Sequence, residues 1–227
     1  MKIILWIIVK RLKIDILIYL LLLTYIISYI ISYNITYNML SDNATDYKYI
    51  GVLPFCQHNG NIMILLGKEP YVDNWKDSMM WSDFGGKPEK NEKCIQTASR
   101  ECFEETLGIL GCNIYLAEQL SSSKSIFIEH KNAIIYLLKI DYNESIPLHY
   151  NRIYSYFTKC TIDHPKIIGL KKIANCPDGY YEKTELKWMS LVNLKNILES
   201  DQAGQTFRKS FIDSIKFILS NIDLSII

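Results

Sequence analysis

Residues 85–109 read GGKPEKNEKCIQTASRECFEETLGI, and the fold turns on this stretch. Two glycines and a lysine open it and Glu92 follows. Arg100, Glu101, Glu104 and Glu105 then make a dense charged cluster. Helical spacing over residues 92–106 puts Glu101, Glu104 and Glu105 at i, i+3 and i+4, on one face. Carboxylates so close repel one another, and a single arginine does not neutralise them. A hard divalent cation over the cluster relieves the conflict, because Mg²⁺ and Mn²⁺ take oxygen ligands. A second face carries Ile95, Ala98 and Cys102, with Cys94 beside them, and can pack against a sheet. Asn91 reads as the N-cap and Gly108 as the C-terminal stop. The glycines before the helix permit a tight turn whose carbonyl can approach an ion.

The order of these residues resembles the Nudix signature: Gly, five residues, Glu, seven residues, then Arg-Glu-apolar-x-Glu-Glu-x-Gly-apolar. Gly86, Glu92 and Arg100-Glu101 keep that spacing, Cys102 takes the apolar place, and Glu104-Glu105 complete the core. A Glu-rich helix is commonly only a solvated face, but Gly86, Glu92 and Arg100 in register set this one apart. The chain departs from the pattern at two points. Gly108 comes one residue late, with Leu107 where the motif has glycine, and Phe84 stands where many members have proline.

The resemblance covers about residues 47–198 and implies an α/β/α sandwich with a mixed sheet. It implies hydrolysis of a diphosphate linkage in a nucleoside diphosphate linked to another moiety, using Mg²⁺ or Mn²⁺. Glu101, Glu104, Glu105 and the carbonyl of Gly86 are then metal ligands. One of these glutamates or Glu182 is the base, and Glu92 with Arg100 forms a supporting ion pair. Lys87 is a candidate phosphate contact and Trp81 a candidate for stacking on a base. The alternative is a catalytically weak Nudix module that binds nucleotide-like ligands, or a partner at a membrane. The full set of motif acids weighs against that. Loops, not the signature, set specificity in such a fold, so caps, dinucleotides, nucleotide sugars, oxidised nucleotides and diphosphoinositol phosphates all stay open.

A chain of 227 residues suits one domain with an appendage. A net charge of +1 supplies no basic field for long nucleic acid. The six cysteines form no CxxC pair and read as small core residues in a reducing compartment.

The appendage is N-terminal. Residues 1–13 are a basic flank with Lys2, Lys10, Arg11 and Lys13, and residues 14–38 contain the run ILIYLLLLTYIISYIISY. A bilayer with a hydrocarbon core of ~30 Å needs about 20 apolar residues to cross it, so this run reads as a single-pass transmembrane anchor. The positive flank would leave the N-terminus in the cytoplasm and send the domain across, whereas the cysteines and a nucleotide substrate favour the cytoplasm. If translation starts at Met39, the anchor is not made and the protein is cytoplasmic. Residues 39–46 form a linker, and residues 47–227 the hydrolase domain with its C-terminal helix.

Within that domain, residues 51–56 and 62–68 around a His58–Asn61 turn read as a hairpin. Residues 69–83 read as a loop. The stretches CNIYLAEQL (112–120), SIFIEH and NAIIYLLKI have strand-like content, and residues 143–165 look helical. Lys124, His130, Lys131, Lys166, Lys171 and Lys172 could meet phosphate, although solvated surface is the simpler reading. GYYEKTELKWMSLVNL resembles the late Nudix strand, in which an acid precedes a Trp-apolar pair. Glu182 is preferred to Glu185 for the acid, since Glu185 starts the strand. Phe211, Ile215 and Ile218 mark a final amphipathic helix.

Overall fold

The computed structural model describes residues 44–122, 126–163, 180 and 182–225, leaving aside the side chains of 156–163. The chain divides into two units, Met1–Asp42 and Asn43–Ile227, and every described residue lies in the second. The expected anchor at residues 14–38 therefore falls outside the described residues. The expected single-pass membrane placement is corrected: among the described residues, no helix is long and apolar enough to cross a membrane.

Strand β1 (Tyr49–His58) is the hub of the sheet. Along one edge it runs parallel to β6 (Ala133–Lys139) from Tyr49 to Phe55. It is also antiparallel to β4 (Phe84–Gly86) at Ile50–Val52 and to β2 (Asn61–Lys68) at Phe55–His58. Leu53 and Pro54 fall between those two partners, and Pro54, which has no N–H to give, occupies that gap. The β1–β2 hairpin turns at Asn59 and Gly60, both with positive φ (49° and 74°), as the sequence suggested. β2 continues against β3 (Trp81–Ser82) on one side and β7 (Glu185–Ser190) on the other. β5 (Ile126–His130) closes the far edge against β6. The sheet is therefore mixed, and the expected loop over 69–83 contains a short strand.

Strand alternation divides the core in two. Leu53, Phe55, Ile64, Leu66, Ile135 and Leu137 face a cluster completed by the C-terminal helices α4 (Leu191–Leu198), α5 (Ala203–Thr206) and α6 (Lys209–Asn221). Phe211, Ile215 and Ile218 of α6 are buried there, as their spacing indicated, and burying a side chain of this size stabilises by ~1.5–3 kcal/mol. Ile50, Val52, Ile134 and Tyr136 point the other way. On that face α1 (Cys94–Glu105) packs against β1 and β4, and α2 (Asn113–Ser121) against α1 and β6. α3 (Ser145–Asp163), the expected helix, packs along β7.

Two local readings are corrected. The stretch at 112–120 is not a strand: Asn113–Ser121 is helical, with extended Cys112 as its N-cap. Leu116 and Leu120 are buried one turn apart, while Ile114 (74 % exposed) and Tyr115 face outwards. The helical period of the leucines outweighs the strand-like composition. At the start of α1, Asn91 is not the cap. It adopts positive φ (69°) in the loop, and extended Lys93 is the N-cap, its N–H donating to Gln96 Oε1 at 2.8 Å.

The late glycine has a geometric account. Helix α1 stops at Glu105, and both Leu107 (φ 52°) and Gly108 (φ 71°) are left-handed. The Gly108 N–H then reaches back to the Phe103 carbonyl at 2.9 Å. Cys94 and Cys102 are buried on the packed face of α1, and Cys56 is buried in β1.

Candidate active site

β4 and α1 bring the signature together. Strand pairing fixes Gly85 and Gly86 against Gly51 and Ile50, and the buried face of α1 seats the helix over that pair. Close approach of backbone requires the first glycine, and the second leaves room for the Glu101 carboxylate. A Cβ on Gly85 would lie 2.4 Å from the Gly51 Cα, and one on Gly86 would lie 2.4 Å from Glu101 Oε1. Glu101, Glu104 and Glu105 retain only 7 %, 4 % and 2 % of their exposure.

Arg100 is the hub that joins Glu92, Glu101 and Glu104. Its Nε and Nη2 donate to the two oxygens of Glu92 at 2.7 and 3.0 Å, a bidentate pair. Its Nη1 donates to Glu101 Oε1 at 2.9 Å and to Glu104 Oε2 at 3.1 Å. Nη2 also reaches the Lys87 carbonyl at 3.2 Å. Glu92 additionally accepts the Glu89 N–H and the Thr97 hydroxyl, each at 2.8 Å, which ties the loop to the helix. Burial pushes the Glu92 carboxyl up, but these donors, Arg100 first, outweigh it and hold it below the usual range.

Glu101 shows the reverse balance. Burial pushes its carboxyl up to about 7 against the pull of Arg100, and the charges of Glu104 and Glu182 add to the rise. Glu104 is raised for the same reasons, burial first, with Glu89 and Glu182 adding. Glu182 itself is exposed in the loop before β7, yet its charge acts on both buried acids. The loop therefore brings the preferred acid within electrostatic reach of the helix.

Glu105 turns inwards instead. Its Oε2 accepts the Gly85 N–H at 2.8 Å, and its Oε1 lies 3.1 Å from Lys183 Nζ. Lys183 is fully buried and also donates to Glu69 Oε1 at 2.5 Å and to Ser82 Oγ at 2.9 Å. Glu69 in turn accepts from Arg208 Nη1 at 3.0 Å. Burial pushes Glu105 up, with the Lys183 ammonium opposing. Burial also works against the charge on Lys183, but Glu105 and Glu69 outweigh it and raise its pKa. Nearby, buried Asp83 accepts the Tyr49 hydroxyl at 3.0 Å.

The structure thus gathers Gly86, Glu92, Arg100, Glu101, Glu104 and Glu105. Lys87 contributes its carbonyl while its side chain is exposed. The Trp81 indole packs on the C-terminal core, with the Lys68 and Lys187 ammoniums 5.7 and 5.9 Å from its ring centre. Of the lysine and histidine candidates, His130 stacks on Phe217 and Lys131 pairs with Asp213, while Lys124, Lys166, Lys171 and Lys172 fall outside the described residues. Glu69, Lys183 and Arg208 were not singled out from the sequence. The available signal was Gly67, a glycine inside a strand, where a Cβ would meet the Lys183 Cγ at 2.8 Å.

The donor set suits a hard cation. Among the described residues, no three candidate ligands form a ready-made metal cage. Nevertheless, one cationic atom, Arg100 Nη1, lies within 3.1 Å of both Glu101 and Glu104, so these two carboxylates can share a positive centre. Their oxygens are the ligands that Mg²⁺ and Mn²⁺ prefer.

The signature lies on a loop and helix packed against a mixed sheet. The fold is Nudix-like. No protein-family model matches the chain, and no curated protein matches it. Among solved structures it is similar to a binary complex of the C. elegans Ap4A hydrolase, with 18% identity over 78% of this chain and 99% of that one, at a TM-score of 0.37. It is also similar to the Nudix domain of Shewanella oneidensis NrtR complexed with ADP ribose, with 10% identity, 77% and 87% coverage and a TM-score of 0.40. A third similar structure is a bifunctional NMN adenylyltransferase/ADP ribose pyrophosphatase from Francisella tularensis. There the identity is 17% and the TM-score 0.44, over 85% of this chain and 46% of that one. At these values the likeness is loose, and the site stands on its own residues.

Proposed function

We propose that residues 47–227 form a divalent-metal-dependent hydrolase that cleaves a diphosphate linkage in a nucleoside diphosphate joined to another moiety. One observation carries this reading: the two buried carboxylates of Glu101 and Glu104 converge on a single positive centre, beside Gly86, in the register of the signature.

Of the ligands implied by the resemblance, Glu101, Glu104 and the Gly86 carbonyl are assigned to hold Mg²⁺ or Mn²⁺. When bound, such an ion would offset charge on the diphosphate oxygens and acidify the attacking water. The protein's own part is positioning and proton handling. Arg100, clamped by Glu92, orients Glu101 and Glu104 and balances part of their charge. Glu182 is solvent-exposed and close enough to influence both acids, so its carboxylate is the assigned acceptor of the proton from water. Burial of Glu101 and Glu104 lowers the local dielectric and strengthens every charge interaction at the site.

Replacing Glu104 by glutamine removes one negative ligand and preserves shape. Metal-dependent turnover should be lost while the circular dichroism spectrum and melting profile stay native. Turnover that survives in a folded Glu104→Gln protein would remove Glu104 from the reaction.

A further inference from the structure

The second of the paired glutamates, Glu105, is held unlike the first. Both of its oxygens are engaged by protein donors: Oε2 by the Gly85 N–H at 2.8 Å and Oε1 by the Lys183 ammonium at 3.1 Å. Among the described residues, Glu101 and Glu104 each accept through one carboxylate oxygen, which leaves the other to a cation, whereas Glu105 has neither oxygen to spare. The lysine is also built in. Its side chain is fully buried, and its stem runs past Gly67, where a Cβ would lie 2.8 Å from Lys183 Cγ and 2.9 Å from Cδ. The Tyr150 hydroxyl donates to its carbonyl at 2.6 Å, and the next residue, Thr184, donates its N–H to Lys68 at 2.8 Å. The ammonium also meets Glu69 and the Ser82 hydroxyl. A strand glycine, a tyrosine cap and a main-chain bond therefore all fix Lys183 where it meets Glu105.

We infer that Glu105 is the internal counter-ion of Lys183 and not a metal ligand, and that Lys183 is a positioning residue clamping the Glu182 loop to helix α1. The metal-ligating part of this inference rests on the hydrolase reading above; the pairing itself does not. Lys183 is clamped through its side chain and its main chain, so the adjacent Glu182 is carried on a fixed support and not on a free loop.

The test is Mn²⁺ titration of the full-length chain, following free Mn²⁺ by electron paramagnetic resonance, for wild type, Glu101→Gln, Glu105→Gln and Lys183→Met. Glu101→Gln should weaken binding by about tenfold or more, and Glu105→Gln by clearly less than Glu101→Gln. Lys183→Met frees Glu105 beside Glu69 and should bind one Mn²⁺ more than wild type, a gain that a purely structural lysine would not produce. Equal weakening by Glu105→Gln and Glu101→Gln overturns the inference, as does a folded Lys183→Met protein with no added site. If Lys183→Met does not fold, the two glutamine variants decide alone. Wild type that binds no Mn²⁺, with a site appearing in Lys183→Met, sinks the hydrolase reading and keeps the pairing. No binding by any folded variant overturns both.

Discussion

The two glycines before the helix are adjacent, and the same substitution should affect them in different ways. At Gly85, an added Cβ would meet the Gly51 Cα at 2.4 Å and the Ile50 carbonyl oxygen at 2.6 Å. Both are backbone atoms of the paired strand β1, so relief requires β4 to move away from it. Overpacking of this kind costs ~1–3 kcal/mol, sometimes more. For a domain of this size each kcal/mol lowers the melting temperature by roughly 2–4 °C, so Gly85→Ala should melt about 2–12 °C lower. At Gly86, the Cβ would meet only the far end of Glu101, with Oε1 at 2.4 Å and Cδ at 2.6 Å. That side chain can swing by about 1 Å to ordinary contact, at a cost below roughly 1 kcal/mol. The carboxylate, however, would then leave the Arg100 Nη1 it now shares with Glu104. Gly86→Ala should therefore melt closer to wild type than Gly85→Ala but bind Mn²⁺ about tenfold more weakly. Thermal melts and Mn²⁺ titrations on both variants check this. Normal Mn²⁺ affinity in Gly86→Ala, or an unshifted melt in Gly85→Ala, would refute the placement of the loop.

Three further outcomes follow from the charge network and its packing. Glu101, raised from 4.5 to about 7 in the folded protein, binds its proton more tightly folded than unfolded. It therefore stabilises the metal-free protein at low pH, and on the order of 3 kcal/mol is lost as pH rises from about 4.5 through 7. Denaturant titrations across that range should show this slope in wild type and a flatter one in Glu101→Gln; equal slopes would contradict the buried placement. Arg100→Lys keeps the charge but not the fork that contacts Glu92, Glu101 and Glu104, and should cost about 1–3 kcal/mol in urea unfolding. An unchanged midpoint would show the fork to be dispensable. Gly67→Ala should be destabilised by ~1–3 kcal/mol, because its Cβ would sit 2.8 Å from the Lys183 stem; a neutral melt would mean that the lysine is not seated there.

The metal-facing part of the site was legible because its residues are close in sequence and tied by helical period. Glu101 and Glu104 lie on one helix, where spacing alone puts their side chains together, and the resemblance to the signature supplied the Glu92–Arg100 pair. The β1–β2 hairpin and α6 were legible for a similar reason, through Asn59-Gly60 and the Phe211, Ile215 and Ile218 stripe. The inward half of the site was not. Glu69, Lys183 and Arg208 meet only in three dimensions, with Lys183 and Glu69 separated by 114 residues, and no local pattern announces a buried lysine. Residues 112–120 misled because β-branched and aromatic residues, here facing out, mask two leucines at helical spacing. Asn91 misled because a residue suited to capping is equally suited to the left-handed turn it adopts.

The most direct test of the central claim is where the oxygen of water goes. The full-length chain would be incubated in ¹⁸O-water with Mg²⁺ or Mn²⁺ and a panel of nucleoside diphosphates linked to other groups. A chelator control would run in parallel, and the products would be separated and weighed by mass spectrometry. The account predicts metal-dependent cleavage of the diphosphate bridge, with one ¹⁸O in a phosphate-bearing product. Label appearing only in a product without phosphate, or no cleavage of any compound by folded protein that binds metal, would contradict it.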